Sequence, residues 1–283
     1  MNKRISKIIS KFDGLPVPEC RMLFDKLESE LFKLPQIPKD DYLLEEYYSG
    51  GMYCRKIRIP AGGLITGRIY KFDHIETMIS GEILIVSADG PQKKYDGFNV
   101  IEAKSGKRQA GLALKDTIWM TVCQVPENIP IHQMLDYATV SSYVEYNNFH
   151  KNLNTMDYHL FLNEIGMTQE QIDLIVKTDD VCEMPEKFNH IYVGDSKQHG
   201  RGLFSSNPIN SSDIVCPVRI NMNRTIAGRY SNHAVFANTA PIEVDGIFYL
   251  MATKNIEKDE EITCNYWQIM SFRSAEDRLC QHG

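Results

Sequence analysis

The chain has no CxxC pair, no apolar run approaching 18 residues, no basic stripe interleaved with aromatics, and no internal repeat or low-complexity tract. Each absence excludes something. The seven cysteines (Cys20, Cys54, Cys123, Cys182, Cys216, Cys264 and Cys280) are odd in number and scattered. That argues against a disulfide framework or a zinc cluster and fits the cytoplasm or another reducing compartment. Without a long apolar run no membrane span is expected, and the amphipathic start MNKRISKIISKF lacks the continuous apolar core of an export signal. A formal net charge of −6 gives no footprint for nucleic acid, and would suit a basic substrate segment.

What is present is 283 residues, 43% of them hydrophobic, enough for two domains with real cores. Ile5, Ile8, Ile9 and Phe12 share one helical face, and Cys20, Leu23, Phe24, Leu27 and Leu31 another, before Pro35 and Pro38 end the helical arm of residues 1–41. Residues 42–126 alternate apolar and polar positions between Gly, Asp and Ser clusters, the texture of a small sandwich or barrel. Residues 127–187 read as a helical connector, with Thr168 a natural N-cap. From 188 to 283 the pattern is β again.

Three stretches near the C-terminus carry chemistry through their order and spacing: Gly200-Arg201-Gly202-Leu203-Phe204, then Arg229-Tyr230-Ser231-Asn232-His233 with Asn238, then Asp259-Glu260-Glu261-Ile262-Thr263-Cys264-Asn265-Tyr266-Trp267. Together they resemble the SET domain family of methyltransferases over roughly residues 188–270. The resemblance implies S-adenosylmethionine as cofactor, bound by Gly200, Arg201, Gly202, Leu203, Asn232 and His233, with Trp267 or the tail helix over the adenine. It implies Tyr266 as the catalytic tyrosine, and a protein lysine as substrate in a channel lined by Tyr230 and Phe236. The chain departs from the family pattern at Ala234, Val235, Ala237, Asp259 and Asn265, and its tail lacks a zinc-binding cysteine cluster.

Residues 60–126 resemble a cupin more loosely. Arg68 and Tyr70 stand where that family has its first two histidines, Asp73 and His74 fit the end of its motif, and Cys123 lies near the place of its last histidine. Arginine and tyrosine are poor ligands for a divalent metal, so no metal site is expected there. His132, His150 and His159 carry no motif, whereas His199 directly precedes the glycine stretch. The expected fold is mainly β with helical segments: a cupin-like β-barrel, able to serve as a homodimer contact, followed by a SET-domain β-fold. The expected activity is protein-lysine methylation. The rival reading is a non-catalytic SET/cupin protein with a binding or structural role.

Overall fold

In the computed structural model, residues 7–271 are described apart from 13, 14, 16, 89, 179 and 222. Ile5, Gly14 and the tail from residue 272, Cys280 included, lie outside the described residues. The chain divides into two compact units, Met1–His150 and Lys151–Gly283, and is mainly β with helical segments. Among the described residues no helix is long and apolar enough to cross a membrane.

The first unit begins with α1 (Val17–Leu31) and the single turn α2 (Lys39–Tyr42). It continues through β1 (Leu43–Ser49), β2 (Met52–Ile59), β3 (Leu64–Thr66), β4 (Ile69–Tyr70), β5 (His74–Ser87), β6 (Gly90–Asp96), β7 (Asn99–Ala103) and β8 (Gln109–Gln124). The helix α3 (Ile131–Ala138) then leads to β9 (Thr139–Val140), which pairs with β4. An antiparallel sheet runs β1-β2-β8-β5-β6, with β3 also on β8 and β7 also on β5.

Two long strands, β5 and β8, form its spine, and both must bend. Gly81 is where β5 turns: its φ is +108°, and a Cβ there would stand 2.5 Å from both the Asp116 carbonyl oxygen and the Thr117 Cα. Before the bend β5 pairs with β7 (Thr77 with Val100), and after it with β6 (Ile83 with Tyr95). Only glycine combines that backbone with that proximity. Gly81→Ala is expected to destabilise the protein by about 2–3 kcal/mol, from backbone strain plus overpacking. Chemical denaturation checks this, and an unchanged midpoint would refute it.

Inside the curve, Ile57, Ile59, Met78, Ile83, Ile85 and Trp119 form one core. Phe24 and Leu27 of α1 pack with Val86 and Ala110 in a second. The helical stripe read from the sequence is the face that α1 buries. Arg108, 5% exposed, is held to that helix by Asp25 at 2.6 Å and by Glu28.

The helix α4 (Tyr143–Glu164) passes through the division between units. The second unit continues with α5 (Gln169–Val176), which begins in the capping box expected at Thr168: the Thr168 hydroxyl accepts from the Gln171 amide, whose side chain accepts from the Thr168 N–H. Its strands are β10 (Val181–Cys182), β11 (Ile191–Asp195), β12 (Arg201–Ser205), β13 (Ile214–Ile220), β14 (Asn223–Thr225), β15 (Asn232–His233), β16 (Thr239–Val244), β17 (Ile247–Ala252) and β18 (Glu261–Cys264), with α6 (Ile226–Tyr230) before β15. They order as β10-β14-β13-β17-β16-β18-β12-β11, with β15 alongside β18. Leu203, Val215, Leu250, Ile256 and Ile262 fill the core beneath. β18 is the strand that matters: it pairs with β12, with β15 and with β16. All three motif stretches therefore meet on it.

Candidate active site

The first stretch closes the turn of the β11–β12 hairpin with Gly200 and continues as β12. Gly200 takes φ +52°, with nothing within 4 Å of where a Cβ would stand, so its glycine serves the turn and leaves bare backbone on one side. Ser196 organises the turn, its Oγ accepting from the amides of Gln198 (2.9 Å) and His199 (3.2 Å) while donating to the Glu261 carboxylate (2.8 Å). Gly202 differs. A Cβ there would collide with that same carboxylate and sit 3.1 Å from Ser196 Cβ. Residue 202 is glycine because Glu261 must approach the strand.

Asn232 completes this knot of contacts. Its Nδ2 shares two hydrogens among the carbonyl oxygens of His199 (3.2 Å) and Arg201 (3.1 Å) and Glu261 Oε1 (2.8 Å). One side chain from each of the second and third stretches thus holds the first in place. Glu261 is a site residue that the motif reading quotes without a role; the signal was its place immediately before the apolar strand core of Ile262–Cys264.

His233 is 7% exposed and both its nitrogens are engaged. Nδ1 accepts the Tyr266 backbone N–H (3.2 Å), so the proton sits on Nε2, which donates to Asp157 Oδ2 (2.8 Å). The same Asp157 oxygen accepts the Trp267 indole N–H at 2.8 Å. Burial holds the His233 pKa below its ordinary value of 6.5, although Asp157 opposes the shift. The folded state resists a proton that the unfolded chain takes up near its ordinary pKa, so this contribution to stability is complete above about pH 6.5 and is lost as the pH falls below it. Melting temperatures from about pH 7.5 to 5 should decline more steeply for the wild type than for His233→Gln. Equal slopes would remove His233 as the cause.

Tyr266 donates its hydroxyl to the Ser231 carbonyl (3.0 Å). Its ring meets Phe161 edge-on at 5.5 Å and Tyr158 at 6.0 Å, and lies 5.1 Å from His233. Burial raises the phenol well above its usual pKa range, with Cys264 and Tyr158 adding to the effect. The residue lines a cavity of about 320 Å³ together with Phe161, Val218, Ser231, Cys264 and Met270.

The other expected site residues separate. Leu203 is wholly buried in the core, leaving only its backbone beside the turn. Arg201 lies 5.5 Å over the Tyr230 ring and donates to the Val193 carbonyl. Neither Tyr230 nor Phe236 lines the cavity, and Phe236 is 54% exposed. Phe161 and Met270 stand there instead. Trp267 packs at right angles on Phe161 (5.3 Å) with its N–H tied to Asp157.

Two departures from the family pattern have local reasons. Asp259, in place of a glycine, takes φ +61°, a conformation acidic and amide side chains tolerate better than most, and accepts from the Tyr192 hydroxyl at 2.9 Å. Asn265, in place of an aspartate, accepts the Trp267 backbone N–H (2.9 Å) and uses its amide to reach the Val235 carbonyl (3.3 Å). Asn238, 3% exposed, brackets β18 by donating to the Glu261 carbonyl and accepting from the Thr263 N–H, both at 2.8 Å. The structure offers no reason for Ala234 or Ala237.

In the first unit, the cupin-motif positions serve other ends. Arg68 pairs with Asp136, and Asp73 accepts from Lys104 and the Ser105 N–H. Tyr70 stacks on His74 with centroids 3.9 Å apart, and His74 Nε2 lies 3.6 Å from Glu76. Burial pushes the Cys123 thiol up to about 12. Among the described residues no three His, Cys, Asp or Glu side chains are placed to hold a metal. His150 faces the Lys71 carbonyl at 3.1 Å, and His199 contributes its carbonyl to Asn232.

The SET domain family model matches residues 122–267, just over half of the chain, a span that opens well ahead of residue 188 and takes in α4 with Asp157 and Phe161. No curated protein matches the chain significantly. Several solved structures resemble about a third of it. A conserved protein of unknown function from Streptococcus pyogenes is 18% identical over 31% of this chain and 77% of its own, with a TM-score of 0.26. A cupin superfamily protein from Desulfitobacterium hafniense is 13% identical over 34% of this chain and 88% of its own (TM-score 0.27). A conserved protein with a double-stranded β-helix domain from Klebsiella pneumoniae is 14% identical over 35% and 90% (TM-score 0.28).

Proposed function

Because the chain belongs to the SET domain family, we propose that it is an S-adenosylmethionine-dependent methyltransferase acting on a lysine side chain of a protein. The observation carrying this reading is the meeting of the three stretches on β18, with Tyr266 at the wall of a cavity. The residues present fit the cofactor: the backbone at Gly200 is bare on one side, and Asn232 fixes the carbonyls flanking it. Gly200, Arg201 and the segment around Asn232 would hold it, and when bound it supplies a methyl group on a sulfonium.

The chain's own residues then have definable work. Ser231 and Tyr266 both line the cavity, where their oxygens would orient a polarised methyl through weak C–H···O contacts. The Asp157–His233–Tyr266 chain of hydrogen bonds fixes the tyrosine backbone, and fixing geometry is what an in-line displacement requires. Tyr266 keeps its proton at neutral pH, so it is a positioned donor rather than a base. A lysine amine must arrive uncharged, which at pH 7 costs roughly 4–5 kcal/mol from its ordinary pKa. Phe161, Val218 and Met270 provide the apolar lining that lowers that pKa by desolvation, the proton leaving to solvent.

Labelling cell proteins with the purified protein and isotopic S-adenosylmethionine, then finding methylated lysines by mass spectrometry, tests the reading. One observation favours a second reading, a non-catalytic binding or structural protein: the Asn232 amide and both His233 nitrogens are engaged by the chain itself. Calorimetric binding of the cofactor with no label on any lysine would select it and sink the first.

A further inference from the structure

The first unit holds a cavity of about 500 Å³, a size typical of small-molecule sites. Its floor is Ile85 and Ile101, and three tyrosines, Tyr95, Tyr143 and Tyr146, wall it. Among the described residues, Arg21, Lys93, Lys104 and Lys107 line it against a single carboxylate, Glu102, in a chain whose formal net charge is −6.

Strand register makes one of these cations exceptional. Lys93 pairs with Ile85 and Tyr95 with Ile83, so both project from the face of β6 that those buried isoleucines share. Alternation along a half-buried strand gives that face to apolar side chains, and Lys93, exposed at its outer end, instead lines the cavity with an ammonium. Lys107 and Lys104 are already held, at 3.0 Å by the buried Glu76 and at 3.1 Å by Asp73. Among the described residues, by contrast, no hydrogen-bond partner faces the Lys93 ammonium, the Tyr95 hydroxyl or the Asn147 amide. Lys93 and Asn147 are exposed and Tyr95 is half-buried, so three donors line one cavity that the protein's own groups leave open to a ligand.

The rim is built rather than loose. Ser105 donates to the Lys71 carbonyl (2.7 Å) and shares a hydrogen bond with the Tyr146 hydroxyl (2.8 Å). Gly106, at φ +80°, donates its N–H to the Tyr70 carbonyl (2.9 Å), and a Cβ there would stand 3.0 Å from the Tyr146 ring. The lysines at 104 and 107 therefore flank a fixed turn.

We propose that this cavity binds a small organic anion, a phosphate or carboxylate group on a hydroxylated body of about sugar size. The charged group lies against Lys93 and the Lys104–Lys107 rim, while Tyr95 and Asn147 donate to the body. This site is independent of the methyl-transfer reading and of any metal.

Isothermal titration of the full chain with glucose 6-phosphate, glucuronate and glucose tests it, the first two arms separating phosphate from carboxylate. At least one charged sugar should bind while glucose does not. Lys93→Ala should weaken that binding about tenfold or more, the worth of one charge-assisted hydrogen bond. Because the Lys93 side chain supports no other residue, this variant should melt with the wild type; Tyr95→Phe, which keeps the ring, should weaken binding several-fold. Equal affinity for glucose, unchanged affinity in Lys93→Ala, or no binding of either anion at about 10 mM would overturn the proposal.

Discussion

Tyr266→Phe should lower methyl transfer by about 10²- to 10³-fold, the usual effect of deleting one preorganised polar group from a reacting site. The fold should survive. The ring contacts with Phe161, Tyr158 and His233 are untouched, and only the hydrogen bond to the Ser231 carbonyl is lost, about 0.5–1.5 kcal/mol. Because burial keeps the phenol protonated, the pH–rate profile of the wild type should show no tyrosine ionisation near neutrality. Single-turnover kinetics with labelled cofactor, alongside melting curves, would read both halves. A variant that turns over like the wild type would remove Tyr266 from the mechanism, and one that fails to fold would show its role to be packing.

The second large effect separates two glycines that a motif treats as a pair. Gly202→Ala should cost roughly 3–5 kcal/mol, because its methyl would displace the Glu261 carboxylate and break the charge-assisted bonds from Ser196 and Asn232. Cofactor affinity should fall with it, since the carbonyls of His199 and Arg201 lose the amide that fixes them. Gly200→Ala meets no atom within 4 Å and carries only the strain of a left-handed backbone, about 1 kcal/mol. Denaturation midpoints and calorimetry on both variants check this. Equal losses would show that Glu261 is free to yield, and the account of residue 202 would fall.

The stretches around Gly200, Asn232 and Tyr266 are legible in sequence because each is short and locally specified: a turn, a strand start and a strand end. Their meeting is legible only through family resemblance, since nothing in the spacing of Asn232 and Thr263 announces that they pair. Asp157 is not legible at all. It stands 76 residues from His233 and 110 from Trp267, on a helix whose sequence shows no motif, and one carboxylate among many acidic surface positions gives no signal. Phe161 is hidden likewise, as an aromatic at ordinary helical spacing. Phe236 misleads in the opposite direction, because a large apolar residue beside a motif suggests a lining role while the loop turns it outward. In the first unit, period-two alternation marks the strands, yet the bend at Gly81 depends on Asp116 and Thr117, which no local pattern links to it.

The oxygen of Asp157 that receives both an imidazole and an indole proton has a consequence for where this half of the protein starts. Cutting the polypeptide at residue 188, where the motif-bearing strands begin, would leave every signature residue in place and still strand two inward-facing donors. Each stranded group forfeits roughly 1–3 kcal/mol, a sizeable share of what a domain this small has to spare. The smallest autonomous folding piece must therefore reach back past Asp157, toward Lys151 where the second unit begins, even though none of the residues that advertise its ancestry lie there.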